Sequence, residues 1–421
     1  MKALNQTKHE LEKSSMVMFL MMMVANVCNY LYQILMSGML TTAEYGTLNT
    51  LLSLSIVIGV PSGILQMIAT RYTAQYAVQQ EKGKIKGLLF KLLKTSGILA
   101  GVALCAGLCL TTPIANILQI EQKNYVAAVM AVVALNCISP IASGALQGLK
   151  RFTAYSMASI IGTLIKLIGG VGLVMLGFGL PGSIAALWMS GAGVIAFGFI
   201  MLRDIMCKNN VKSELVGNVD IRLFVKDVFW VQMISAVLAN GDILLIKSFA
   251  QSPEDAGIYA SGMVIGKISM YMATAVITAL FPMAAEQQVQ GKDTRSLLGR
   301  AVLLGGGLAV VCALGMNLVG KPIITLLFGQ RYVQAYALLP SISCYVIAIT
   351  FITILMNYMT ARGETRFFSI SLGLGLAVMV ALIWCFHDTV PQMLYIMTGI
   401  LTLVFLINLP GALRKPEEVA T

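Results

Sequence analysis

Twelve apolar runs of about twenty residues each divide this chain of 421 residues, and no other feature constrains its fold so tightly. They fall at 16–40, 47–70, 88–110, 125–147, 154–176, 182–202, 227–250, 257–282, 298–320, 336–360, 367–386 and 391–412. A hydrocarbon core is about 30 Å thick, and about twenty helical residues cross it. Inside it, backbone N–H and C=O groups find partners only within a helix or a closed barrel. Barrel strands alternate polar and apolar residues over about ten positions, whereas these runs are continuous. The predicted class is therefore an all-α polytopic membrane protein. Composition agrees: 11% of residues are charged, against about 25% in a soluble domain. The polar leader MKALNQTKHELEKSS runs straight into a full span, without the small-residue cleavage site of a signal peptide.

Lysine and arginine in the short loops orient the spans. With both termini cytoplasmic, twenty-one of the 29 fall in inward segments. These are Lys2, Lys8, Lys13, Arg71, Lys82, Lys84, Lys86, Lys150, Arg151, Arg203, Lys208, Lys212, Arg222, Lys226, Lys292, Arg295, Arg300, Arg362, Arg366, Arg414 and Lys415. Only Lys123, Lys321 and Arg331 fall outside. The net charge of +11 thus faces the anionic inner leaflet and requires no nucleic acid.

The chain also repeats itself. AEYGTL (43–48) matches EDAGIY (254–259), pairing Gly46 with Gly257. QQEKGK (79–84) matches QQVQGK (287–292), PIANIL (113–118) matches PIITLL (322–327), NYVAA (124–128) matches RYVQA (331–335), and QGLKRF (147–152) matches RGETRF (362–367). Five matches in one order at nearly one shift imply a duplication. The predicted organisation is a six-helix bundle at 1–202, a basic cytoplasmic linker at 203–221 and a second six-helix bundle at 222–421. Six crossings is an even number, so the halves are parallel repeats, and transporters of this kind place the substrate in a cavity between them.

Polar residues recur at helical spacing within five spans. Asn26, Asn29, Tyr30 and Gln33 share a face of the first; Asn136, Ser139, Ser143 and Gln147 a face of the fourth; Ser159, Thr163 and Lys166 a face of the fifth. Lys267, Tyr271, Thr274 and Thr278 line the eighth, and Thr350, Thr353 and Asn357 the tenth. Lipid cannot bond such stripes, so they are expected to face protein or a wet central cavity. The plainer account of any single hydroxyl is an interhelical hydrogen bond, worth about 0.6 kcal/mol.

Charges inside the spans carry more weight, since ionisable residues there mark functional sites by default. Lys166 lies twelve residues into its span, about 18 Å from the end at about 1.5 Å per residue. Lys267 is comparably deep, whereas Lys247 sits near an outer end from which it is expected to snorkel. Arg71 ends the second span on the cytoplasmic side, placed for topology or for an anionic headgroup. Asp242, beside Asn240, is the only acid well inside a span, and it reads either as a partner for a lysine or as a proton or Na⁺ site. The eight cysteines form no CxxC pair, and seven lie in apolar spans as small core residues. The two histidines, His9 and His387, fall on opposite sides of the membrane, so no histidine-based metal site is expected. No GxxxxGK[ST] loop and no nucleophile–base pair is present, and neither catalysis nor a cofactor is predicted.

EYGTLNTLLSLSIVIGVPSGILQMIATRY, GALQGLKRF, NGDILLIKSFAQSPEDAGIYASGMVIGKI and PIITLLFGQRYVQA together resemble the polysaccharide transporter branch of the multidrug/oligosaccharidyl-lipid/polysaccharide flippase superfamily, the Wzx-type flippases of O-antigen and capsule repeat units. The resemblance implies a bacterial plasma-membrane protein that carries an undecaprenyl-pyrophosphate-linked oligosaccharide outward, with membrane lipid as its setting and polymerase and glycosyltransferases as pathway partners. In that reading Lys166, Lys267, Lys247 and Arg71 supply cations to the pyrophosphate, while Asn26, Asn29, Tyr30, Gln33, Asn136, Tyr271 and Asn357 meet sugar hydroxyls. Asp242 and Asn240 are the candidates for ion coupling. The alternative is an H⁺- or Na⁺-coupled multidrug exporter of the same superfamily. Such a pump wants an acidic cavity for cationic drugs, and lysines outnumber Asp242 here.

Substituted-cysteine labelling tests the orientation. Cysteines at Lys82, Lys150, Lys212, Lys292 and Arg362 should react only from the cytoplasm, and those at Lys123, Pro253 and Arg331 only from outside. One inner loop labelled from outside would break the six-crossing repeat.

Overall fold

The computed structural model describes residues 2–206, 221–289, 295–362 and 365–413; for 2–16, 19, 221–228, 273–289, 361 and 365 it describes the backbone only. All regular structure among them is helical. The first half holds α1 (Lys2–Met39), α2 (Thr42–Ile58), α3 (Val60–Val78), α4 (Lys82–Ile117), α5 (Lys123–Asn136), α6 (Ser139–Gly148), α7 (Phe152–Leu173), α8 (Gly179–Met201) and the short α9 (Arg203–Met206). The second holds α10 (Ile221–Phe249), α11 (Asp255–Val289), α12 (Arg295–Ala301), α13 (Gly307–Leu327), α14 (Ala335–Arg362), α15 (Thr365–Cys385) and α16 (Val390–Ala412).

Among the described residues, nine helical segments are long and apolar enough to cross a membrane, or ten if α2 and α3 count as one bent span. One of them, Phe152–Met201, is 50 residues long and contains two predicted spans. These fold back on each other at Gly177 and Gly179, whose φ of +91° and +51° suit glycine alone. The eighth predicted span is α11, 35 residues long. Every predicted span is therefore a helix or a pair of helices, and the chain is a multi-pass membrane protein. Span edges move outward: α4 runs 36 residues, about 54 Å at about 1.5 Å per residue, and so projects well beyond the hydrocarbon.

The chain divides into two compact units, one of Met1–Thr41 with Leu51–Phe229, the other of Thr42–Thr50 with Trp230–Thr421. Of the segment read as a linker, α9 buries Ile205 in the first unit, and 207–220 lie outside the described residues, as do Lys292, Arg414 and Lys415. One end of the first unit is a leucine-rich core of Ile64, Leu65 and Ile68 from α3, Leu88, Leu89 and Leu92 from α4, and Ile141, Ala145 and Leu146 from α6. In the second unit α14 is the central helix, burying Leu339, Ile342, Val346, Ile349, Ile352 and Leu355 along one side.

Each unit ties down its last long helix in the same way. In the first, Arg151 Nη1 donates to the carbonyl of Met201, the last residue of α8, at 2.6 Å, and the guanidinium also grips Asp204. That hydrogen bond pushes the Arg151 pKa further up. In the second, the buried Arg362 donates to the carbonyl of Ala412, the last residue of α16, at 2.9 Å. The final carbonyls of a helix have no intrahelical donor, and a cation there complements the helix dipole. Both arginines follow the fourth span of their half, so the device belongs to the repeat.

The repeat-related glycines meet in the second unit. A Cβ on Gly46 would lie 2.6 Å from the Gly257 nitrogen, and one on Gly257 would lie 2.0 Å from the Thr42 carbonyl oxygen. The first turns of α2 and α11 thus cross backbone to backbone, beside the fully buried rings of Tyr45 and Tyr332, whose centroids are 5.8 Å apart. Only glycine permits this approach. Gly257→Ala should cost about 1–3 kcal/mol by overpacking and lower the thermal unfolding midpoint in detergent. Gly38→Ala, where nothing lies within 4 Å, should leave that midpoint unchanged or raised.

Candidate functional site

The first unit holds a cation at mid-span. Lys166 projects from α7 toward α1, where its Nζ donates to Asn29 Oδ1 and stands 4.9 Å above the centre of the Tyr32 ring. Tyr32 is fully buried. Its ring reaches this place because position 170, one turn beyond Lys166, is glycine: a Cβ there would lie 2.7 Å from the Tyr32 ring. Gln33, one turn along α1 from Asn29, has a buried Oε1 with no hydrogen-bond partner among the described residues. One face of α1 and one of α7 therefore assemble a half-buried ammonium, an amide oxygen that binds it, an aromatic face below it and a further amide. A cation over an aromatic face gains about 0.5–2 kcal/mol. A cation so held, with donors to spare, recognises an anionic oxygen.

Asn26, one turn before Asn29 on the same helix, is exposed, and Tyr30 is half-buried. The rest of the stripes largely bond within the protein. Ser159 and Thr163 donate to carbonyls of α7 itself, and Thr350, Thr353 and Asn357 donate to carbonyls of α14. Asn136 packs against Gly191 of α8. Gln147 Oε1 accepts from Gln66 Nε2 at 3.4 Å and from Thr70 Oγ1 at 3.2 Å. Arg71 is exposed in the C-terminal half of α3, its guanidinium 6.0 Å from the Tyr72 ring centre.

The second unit holds an acid. Asp242, 3% exposed, accepts a 2.6 Å hydrogen bond from the buried Tyr259 hydroxyl at Oδ2, whereas its buried Oδ1 has no hydrogen-bond partner among the described residues. Tyr345 donates to the Leu238 carbonyl at 3.3 Å and lies within the field of the same carboxylate. Asn240 is buried and donates to Ala236 of its own helix. Lys247 does not snorkel: it is 2% exposed. Lys267 is half-buried and Tyr271 is 54% exposed, while the Thr274 and Thr278 side chains lie outside those described. The structure thus joins Lys166 to Asn29, with Gln33 one turn on, and Asp242 to two tyrosines that the sequence reading had passed over. Tyr32 was passed over too. Its one sequence signal is an aromatic three residues after Asn29, with glycine four residues after Lys166.

The fold is that of transporters of the multidrug/oligosaccharidyl-lipid/polysaccharide superfamily. A multidrug resistance MATE family transporter of that superfamily, in an inward-facing conformation, superposes with a TM-score of 0.76 at 14% identity, over 92% of this chain and 93% of that one. The lipid II flippase MurJ, in an inward closed conformation, superposes at 0.69 with 11% identity, over 95% and 88%. The model of the family described as polysaccharide biosynthesis protein matches residues 35–337, well over half the chain, and the chain belongs to that family. Inner membrane protein YghQ of Escherichia coli (strain K12) is 22% identical over 252 residues, 56% of this chain and 69% of that protein. The uncharacterized protein Rv1510 of Mycobacterium tuberculosis (strain ATCC 25618 / H37Rv) is 24% identical over 229 residues, about half of each.

The acid cluster makes a stability prediction. Tyr259→Phe leaves a buried carboxylate without its donor and should cost about 1–3 kcal/mol. Tyr345→Phe removes only a longer bond to a carbonyl and should cost less. Thermal unfolding of the two purified variants checks the order.

Proposed function

We propose that this protein is a flippase that moves an undecaprenyl-pyrophosphate-linked oligosaccharide from the inner to the outer leaflet of a bacterial plasma membrane, by alternating access, for surface polysaccharide synthesis. The observation that carries the reading is the Lys166 ammonium, held at mid-span by Asn29 above the Tyr32 ring. A diphosphate crossing hydrocarbon needs a cation at that depth, and a lysine supplies one as a point charge. Lys267, Lys247 and Arg71 are further cations of the path in this proposal. Asn26, Tyr30, Gln33, Asn136, Tyr271 and Asn357 supply amide and hydroxyl groups for sugar, although the bonds of Asn357 to its own helix leave it less free than Gln33. Membership of a polysaccharide biosynthesis family supports a glycan cargo. Glycosyltransferases that build the cargo and a polymerase that consumes it are the partners the reading requires.

Moving about two negative charges outward, with the interior negative, is favourable by about 2.3 kcal/mol per charge per 100 mV, or about 4.6 kcal/mol. Membrane potential is therefore the proposed main drive. Asp242 favours a second contribution: a buried carboxylate with one free oxygen is placed to carry a proton or Na⁺. An exporter of cationic drugs fits less well, because the mid-span site of the first unit is itself cationic.

Lys166→Ala and Lys267→Ala should each abolish glycan export in a flippase-deficient strain at matched expression and insertion. Lys166→Arg should retain part of it. In proteoliposomes, transport of the lipid-linked oligosaccharide should follow an imposed potential. Wild-type export by both alanine variants would sink the anion site. Transport driven by a pH gradient alone, and lost in Asp242→Asn, would replace potential with obligate proton exchange.

A further inference from the structure

Spans 2 and 4 are both interrupted inside the first unit, and each interruption carries a proline. α2 and α3 meet at Gly59 with their axes bent by 48°, and Pro61 sits in the first turn of α3. α5 and α6 meet at Cys137 and Ile138, with Pro140 in the first turn of α6. Proline removes an amide and crowds the preceding turn, so it breaks the ladder in each place.

Hydroxyl groups take over carbonyls at the second break. Asn136, which Pro140 deprives of its donor, accepts from Ser139 Oγ at 3.3 Å. Ile141 donates to Ile138 rather than to Cys137, and the Cys137 carbonyl accepts instead from Ser96 Oγ of α4 at 2.7 Å. At the first break Gly59 keeps backbone donors, Ser62 N at 3.0 Å and Gly63 N at 3.4 Å, and Ser62 Oγ adds a further one at 2.6 Å. The hydroxyl bonds survive small changes of helix direction, because a hydroxyl rotates with its acceptor.

Beyond the breaks, α3 and α6 are fastened to each other. Gly144 and Gly148, four residues apart, lay the α6 backbone on α3: a Cβ at either would stand 2.4 Å from the Gln66 carbonyl oxygen or 2.6 Å from that of Thr70. Small residues at this spacing let two helices approach closely in a membrane. Gln147 bonds both Gln66 and Thr70 across the seam. Against α4, in contrast, the pair presents apolar side chains: Ile64, Leu65 and Ile68 beside Leu88, Leu89 and Leu92. Such faces slide by shear, whereas the glycine seam does not. The corresponding spans of the second half, α11 and α14, run unbroken through the matching depth near residues 270 and 350.

We propose that α3 and α6 form one moving body, tilting together about Gly59–Pro61 and Cys137–Pro140, with the Ser96–Cys137 hydrogen bond as its pivot. The proposal rests on the fold alone and does not depend on the cargo. A tilt of about 10° over the roughly 28 Å of α3 moves Val78 by about 5 Å.

The test is pulsed electron paramagnetic resonance on protein in lipid nanodiscs, without added substrate, in a background with its eight native cysteines replaced. Spin labels go at Val78, Lys150 and Lys94, all exposed. The Val78–Lys150 distance should be single and narrow. The Lys94–Val78 and Lys94–Lys150 distances should each show two populations about 5 Å apart, merging to one in Pro61→Ala/Pro140→Ala. A broad Val78–Lys150 distance, or one narrow distance from Lys94 in the wild-type helices, overturns the proposal. Hydrogen exchange on unlabelled protein gives an independent reading. Amides at 59–63 and 138–142 should exchange faster than those at 64–70, and equal protection would overturn the hinge.

Discussion

A backbone group without a hydrogen-bond partner costs several kcal/mol in hydrocarbon, and the architecture follows from avoiding that cost. It makes every described element helical, and it also governs where helices stop. The last carbonyls of α8 and α16 lie where the polypeptide ends its sixth and twelfth crossings, and each receives an arginine. Where Pro140 opens α6, serine hydroxyls stand in for the missing amides. Most intramembrane threonines and asparagines serve the same economy of partners, bonding the carbonyl one turn back.

That economy explains what was legible in the amino-acid sequence. Apolar length is a strong signal, so all twelve crossings could be placed from it. The Gly46–Gly257 match could be read as duplication, though not as a point where the two positions touch, since contact depends on a crossing angle that no local pattern encodes. The polar stripes were visible but overstated the supply of free polar groups, because a helix offers each hydroxyl an acceptor of its own. Lys247 was misread for a related reason: distance from a span end suggests snorkelling, whereas the folded chain buries it. Tyr32, Tyr259 and Tyr345 were invisible because a tyrosine in an apolar run looks like core until its neighbour is known.

The two units differ in their buried ionisable groups: the second buries both Asp242 and Lys247. Around Lys166 the first presents a cation, an amide oxygen and an aromatic face. Around Asp242 the second presents a carboxylate with a tyrosine donor. A duplicated scaffold has kept its capping arginines and its glycine crossing while its buried ionisable groups changed. Framework and chemistry therefore occupy separate residues. The framework residues act on the backbone, and the divergent ones act through side chains at mid-span.

The exchange of Thr42–Thr50 into the second unit has a consequence for biogenesis. This segment leaves the ribosome early, but its seat around Gly257 and Tyr332 is made some two to three hundred residues later. At about 5–20 residues per second the delay is on the order of 10–60 s. For that time α2 enters the bilayer with Tyr45 unpacked and the Gly46 backbone uncovered, a surface that a chaperone or insertase would have to hold. The early segment therefore waits for a seat made long after it, and a split between residues 206 and 221 would separate Thr42–Thr50 from the rest of the second unit.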